Sequence, residues 1–104
     1  GIDAIKNSIR NILLTRRGSI PGKPRFGSDL HRILFQPLDH LTESIASNYI
    51  RESLSEYEPR ISVKKLTYNN VEEFNKLVIN LEFTYRDNDF DTDNVEEISV
   101  TFNI

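Results

Sequence analysis

The opening stretch "GIDAIKNSIRNILLTRRG", Gly1 to Gly18, places Ile2, Ile5, Ile9, Ile12 and Leu13 three or four positions apart, with polar residues between them. That spacing lines one face of a helix. It predicts an amphipathic first helix with one buried stripe, stopped by Gly18 after Arg16 and Arg17. The following "GSIPGKPRFGS" holds three glycines and two prolines in eleven residues, which marks a loop. Next, "SDLHRILF" predicts a short helix capped by Ser28 or Asp29 and closed by Pro37. A second long helix follows in "LTESIASNYIRESLSEY". Thr42 is its expected cap, and Leu41, Ile45, Ala46, Tyr49, Ile50, Leu54 and Tyr57 form its apolar face.

Beyond Pro59 the period drops to two. Leu77, Ile79, Leu81, Phe83 and Tyr85 alternate with Val78, Asn80, Glu82 and Thr84, and Ile98, Val100, Phe102 and Ile104 repeat the pattern, as half-buried strands require. In "RISVKKLTYN" the apolar residues switch phase, from Ile61 and Val63 to Leu66 and Tyr68. A bulge near Lys64 and Lys65 would absorb that switch. Between the two later strands, "RDNDFDTDN" reads as a polar turn. The elements make an α+β chain: two to three helices on one face of a three-stranded antiparallel β-meander, expected to be a single domain over residues 1–104. A sheet of three strands has two edges, each a row of unpaired backbone donors and acceptors that an assembly protein can use.

Composition narrows the function. The 104 residues are 38% hydrophobic and 28% charged, a globular balance with room for one modest core. No apolar run reaches the roughly 20 residues of a membrane helix, and no signal-peptide core is visible, so a membrane role is not expected. The first residue is Gly1 rather than Met, and either a trimmed start or a preceding leader is expected. There is no cysteine, which excludes disulfides and thiolate zinc sites, and assembly in the cytosol is the default. The net charge of −3 is unevenly spread: Arg16, Arg17, Lys23, Arg25 and Arg32 make the first third basic, and Asp87, Asp89, Asp91, Asp93, Glu96 and Glu97 make the last third acidic. The basic stretch has Phe26 as its one aromatic and belongs to no nucleic-acid reading helix, so no nucleic acid is expected as a partner.

Catalytic chemistry finds little support. The run Asp87, Asp89, Asp91, Asp93 has the spacing of a calcium loop's first ligands. Its sixth position would be Thr92 in place of the glycine that makes the turn, and its twelfth Ile98 in place of a bidentate Glu. A solvated hairpin loop is the reading that remains. His31 and His40 lie in separate segments without a cysteine co-ligand. No nucleophile elbow or triad order exists, and "GKPRFG" is no phosphate loop. Sixteen acidic residues guarantee that some pair meets a glycosidase separation. The apolar stripes carry no Asp or Glu whose pKa burial would raise, and no cofactor is implied.

The helix-to-strand junction "LSEYEPRISVK" is more informative. Pro59 cannot continue a helix and pushes Glu58 out of helical conformation, so the triplet Glu58, Pro59, Arg60 is mechanically a switch. Its opposite charges could pair locally or face outward as a clamp. The plain reading is an exposed pair worth under about 1 kcal/mol. The sharper one is a preformed recognition element, because an arginine fork on a rigid turn loses little freedom on docking.

Together, "LLTRRGSIPGKPRFGSDL" and "YEPRI" resemble the baseplate-wedge and sheath-initiator family of contractile-tailed bacteriophages, whose relatives include the TssE baseplate subunit of type VI secretion. The resemblance covers nearly the whole chain and rests on Thr15 to Gly18, Arg25 to Leu30, and the Glu58-Pro59-Arg60 triplet. It implies a non-enzymatic virion protein of the tail baseplate, assembled in the host cytoplasm. Six copies would surround the tail tube, itself a possible contact. The implied partners are the wedge's helical core bundle, met by Glu58, Pro59 and Arg60, and tail sheath subunits, nucleated by strand exchange. Arg25 and Phe26 are expected to dock through the loop, with Phe26 plugging its own core as the alternative, and Ile98, Val100 and Phe102 are expected to form the sheath-facing strand. The family has carried a lysozyme label, which the residues above do not support. Two other readings stay open: a small glycosidase, and a regulatory module like the anti-adaptor of proteolysis that shares the implied fold.

Overall fold

Helix α1, Ile2–Leu14, buries Ile5, Ile9, Ile12 and Leu13 along one side in a computed structural model that describes residues 1–87, 90, 91 and 94–104. The helix ends well before Gly18, because Thr15 turns to extended backbone at φ −82° and ψ 128°. The Thr15 hydroxyl donates to the Asn11 carbonyl at 2.6 Å. Ser28 N–H donates to the Thr15 carbonyl at 2.9 Å, and Arg17 N–H donates to the Ser28 carbonyl at 3.1 Å. A parallel bridge across the loop therefore takes the place of another helical turn.

The short helix expected after the loop is a single 3₁₀ turn, Leu30–Arg32. Asp29 makes no side-chain cap there; the Ser28 hydroxyl accepts from Leu30 N–H at 3.5 Å and donates to the Leu13 carbonyl at 2.9 Å. Helix α2, His40–Tyr57, is capped by Asp39 rather than Thr42: the Asp39 carboxylate accepts from Thr42 N–H at 2.8 Å, which holds its carboxyl below the usual range. Thr42 is buried one turn inside. With the start shifted, the buried stripe runs through Thr42, Ala46, Ile50, Ser53 and Leu54, and Leu41, expected in the core, is 70% exposed.

The strands are β1 (Ile61–Val71), β2 (Lys76–Asp87), the two-residue β3 (Phe90–Asp91) and β4 (Glu96–Asn103). β2 is central, with β1 and β4 antiparallel on either side, and β3 pairs with the end of β2 at Arg86 and Asp87. The meander is the expected one. The β1–β2 register slips between Val63 and Lys65, so Lys64 is the extra residue that returns Leu66 and Tyr68 to the face of Ile61 and Val63. The acidic run tested above as a calcium loop, Asp87 to Asp93, lies outside the residues whose side chains are described.

Both helices pack on one sheet face. Leu77, Ile79, Leu81 and Phe83 of β2 and Ile98, Val100 and Phe102 of β4 are buried there, in one cluster with the α1 and α2 stripes, Leu30 and Leu34. Ile104, the last apolar position of the β4 alternation, is 37% exposed. The opposite face is polar and solvated, with Ser62, Thr67 and Asn69 of β1 and Glu97, Ser99 and Thr101 of β4 exposed.

Candidate partner-binding surfaces

At the end of α2, Glu58 N–H makes the last helical bond, to the Leu54 carbonyl at 2.8 Å, and Glu58 takes φ −138° and ψ 68°. Pro59 and Arg60 are exposed, but Glu58 is only 3% exposed. Arg60 folds back over it: Nε donates to Oε1 at 2.7 Å and a terminal nitrogen donates to Oε2 at 2.9 Å. The local pairing is thus the arrangement adopted, and the pair is half-sunk rather than exposed, with 45% of the Arg60 side chain accessible and 4% of the Glu58 side chain. The Arg60 hydrogen bonds hold the Glu58 carboxyl below its usual range. They outweigh burial, which pushes it up, and the Ser8 hydroxyl of α1 adds to the lowering. The triplet is therefore a latch between both helices and the start of β1, where Arg86 N–H donates to the Arg60 carbonyl at 2.7 Å.

The loop leads to the same place. Arg25 makes two hydrogen bonds to the Glu56 carboxylate, at 3.0 and 3.4 Å, and lowers its pKa. The half-buried Phe26 ring meets Tyr57 edge-on, with centroids 5.0 Å apart, and Lys23 Nζ lies 5.8 Å from the Phe26 centroid. Phe26 therefore packs against its own core, with part of its ring accessible. The last two α2 residues, Glu56 and Tyr57, and the cap residue Glu58 receive Arg25, Phe26 and Arg60, which brings the two predicted surfaces together.

At the base of the loop is a network that sequence reasoning missed. Arg17 donates to Asp29 and to Glu52, both at 3.0 Å, and approaches the Ser53 hydroxyl at 3.5 Å. It joins Thr15–Gly18 and Arg25–Leu30, the two segments of the sequence motif, to the middle of α2. The one available signal was Ser53, a small polar residue on the apolar stripe of α2. Gly27 is required here: its φ is +110°, and a Cβ would lie 2.4 Å from the Thr15 carbonyl oxygen.

The predicted strand residues sit apart from this region. Ile98, Val100 and Phe102 are 5%, 1% and 3% exposed, so their side chains face the core and cannot meet a partner. Only their strand's backbone can. Ile104 N–H donates to the Asn75 carbonyl at 2.8 Å, and that pair continues the β4–β2 register. By alternation Ile98, Val100 and Phe102 also direct their amides at β2, and Glu97, Ser99, Thr101 and Asn103 direct theirs away from it. Arg86 N–H bonding the Arg60 carbonyl gives β2 the same phase from its other side. β4 is an edge strand with no register slip. β1 is the other edge, but Lys64 interrupts it, and Arg51 of α2 donates to the Val63 carbonyl at 3.3 Å.

Catalytic and metal chemistry are weakly supplied. Glu58 is the buried carboxylate among the described residues, and its lowered pKa is the opposite of what a general acid needs. Among those residues no three His, Asp or Glu side chains converge on a metal position.

The family described as baseplate wedge protein gp25 matches residues 1–89. The baseplate wedge protein gp25 of Enterobacteria phage T4 is 35% identical over 102 residues, covering 96% of this chain and 74% of the T4 protein. A crystal structure of a candidate tail lysozyme from Geobacter sulfurreducens is similar at a TM-score of 0.83 and 28% identity, covering 99% of this chain and 90% of that one. A chain in a cryo-EM structure of the post-contraction pyocin R2 baseplate is similar at a TM-score of 0.73 and 26% identity, covering 84% of this chain and 87% of that one.

Proposed function

This chain belongs to the baseplate wedge protein gp25 family, structural components of the tail baseplate, and we propose that it works there without catalysis, as a two-sided assembly module. One side is the Glu58-Pro59-Arg60 latch with the Arg25–Phe26 loop beside it, which docks on the helical core bundle of the wedge. The other is the free edge of β4, which adds a strand from a tail sheath subunit and so starts the first sheath ring. Six copies around the tail tube would present six such edges.

The observation that carries this reading is the β4 edge. Glu97, Ser99, Thr101 and Asn103 direct their backbone groups away from β2 on a regular strand whose side chains hold it to the core. Such an edge templates β-augmentation. The likeness to a candidate tail lysozyme is one of fold, and the lowered pKa of Glu58 speaks against an acid catalyst.

Proline substitution separates the edge from the ladder. Thr101→Pro and Ser99→Pro remove outward-facing donors and leave the bonds to β2 in place, whereas Val100→Pro removes a ladder bond to Ile79 and lowers stability. On purified baseplates the first two are expected to fold and fail to nucleate sheath. Normal nucleation by both would rule out β4 as the template. A cell-wall lysis assay on wild-type protein is expected to read zero, and measurable lysis would overturn the non-catalytic reading.

A further inference from the structure

A second surface, separate from both the latch and the β4 edge, lies where the loop returns to the end of α1. Arg16, Arg17, Ser28, Asp29, His31 and Arg32 line an open cleft of about 410 Å³, within the size range of small ligand sites, roughly 300–1,000 Å³. In a chain of net charge −3 it is a local excess of positive charge. Among the described residues three guanidinium groups line it with one carboxylate, Asp29, while Glu52 reaches Arg17 from α2. Asp29 is shared, 3.0 Å from Arg17 and 3.8 Å from Arg32. Arg16 is exposed and makes no ion pair among the described residues.

Two buried polar atoms, Arg17 Nε and His31 Nδ1, have no hydrogen-bond partner among the described residues and belong to residues of this cleft. Unsatisfied buried polar atoms are uncommon and call for a cause. The His31 ring is fixed edge-on to Phe102 of β4, with centroids 6.3 Å apart, so the histidine is a positioned wall.

We infer that this cleft is a docking pocket for an acidic segment of a protein partner, whose Asp or Glu carboxylates are taken up by Arg16 and Arg32 beside His31. The guanidinium fork matches a carboxylate with two parallel hydrogen bonds. The arginines of this cleft already take carboxylates: Arg17 holds Asp29 and Glu52, both at 3.0 Å, and Arg32 lies 3.8 Å from Asp29.

The test is an NMR titration of the ¹⁵N-labelled protein with four probes: acetylated and amidated tetraglutamate, tetraglutamine, inorganic phosphate and a short oligothymidylate. Tetraglutamate is expected to shift the Arg16, His31 and Arg32 resonances saturably, with tetraglutamine inert. The Arg16→Ala/Arg32→Ala variant, which changes only exposed side chains, weakens that binding by up to about fivefold for each arginine. Arg10→Ala, on an exposed position of α1, leaves it unchanged. No saturable shift, or shifts indifferent to the double substitution, would overturn the pocket. Tighter binding of phosphate or oligothymidylate than of tetraglutamate would overturn the acidic-protein assignment.

Discussion

Arg60→Ala is expected to destabilise the fold itself, and to do so with a distinctive dependence on pH. The substitution strips a carboxylate that is 3% exposed of both its arginine hydrogen bonds and leaves it the Ser8 hydroxyl. Removing one member of a buried ion pair costs about 3–5 kcal/mol. Because the lost guanidinium was 45% exposed, the lower end applies, about 3 kcal/mol at pH 7. In a domain whose total stability is on the order of 5–15 kcal/mol that is a large fraction, and it lowers Tm by about 12 °C or more. Glu58→Gln, which removes the buried charge that needs a partner, is expected to cost less.

The sign of the pH dependence separates these cases. In the wild type the folded Glu58 pKa lies below its unfolded value, so the pair's stabilisation is present above the carboxylate range and is lost as pH falls through the folded pKa. In Arg60→Ala the burial that now opposes the arginine meets only the weaker Ser8 hydrogen bond, and the folded pKa is expected to rise above the unfolded one. The variant's deficit against wild type therefore grows from pH 4 to pH 7 and closes toward acid. Urea denaturation of both proteins at several pH values measures this, and the other carboxylates cancel in the difference. A deficit that is flat across pH, or a variant as stable as wild type at pH 7, would refute the reasoning.

Two further substitutions probe the loop. Gly27→Ala is expected to break the Thr15–Ser28 pairing, since its Cβ would meet a backbone oxygen at 2.4 Å and φ is +110°. The result is an expressed but thermally weakened protein, with loss of Ser28 amide protection in hydrogen exchange. Phe26→Ser removes a half-buried ring and its contact to Tyr57, expected to cost about 1–3 kcal/mol. The protein remains folded by circular dichroism and fails to join wedge partners in reconstitution, and normal assembly would assign Phe26 to packing alone.

What the sequence disclosed was whatever a local period controls. Alternation over Leu77–Phe83 and Ile98–Phe102 set the faces of two strands, and the phase change between Val63 and Leu66 located the bulge at Lys64. Asp39 illustrates a signal that was present and overlooked, an N-cap three residues before Thr42 whose choice decides that Leu41 points to solvent. The end of α1 was not legible, because Thr15 pairs with Ser28, across a loop whose path no local rule dictates. Nor was the burial of Glu58. A glutamate is among the residues least often inside, and what permits it here is Arg60 together with Ser8, a residue of the other helix.

The latch and the loop differ in one respect that bears on how a partner could use them. Glu56 and Arg25 are both accessible, with side chains 32% and 71% exposed, so an incoming acid could replace Glu56 on Arg25 at little cost. Glu58 cannot be displaced in the same way, because releasing Arg60 would leave a buried charge behind. If the latch docks as proposed, Arg60 would reach its partner with its orientation fixed and offer only its accessible side, whereas Arg25 could exchange its partner outright. Both hang on glutamates two residues apart, Glu56 and Glu58, where α2 ends, and this end is tied to α1 through Ser8 and α2 to the loop base through Arg17, so the surface is ordered before contact. Little freedom then remains to be lost on docking, which is how a short charged triplet on a small domain can hold a specific geometry in an assembly.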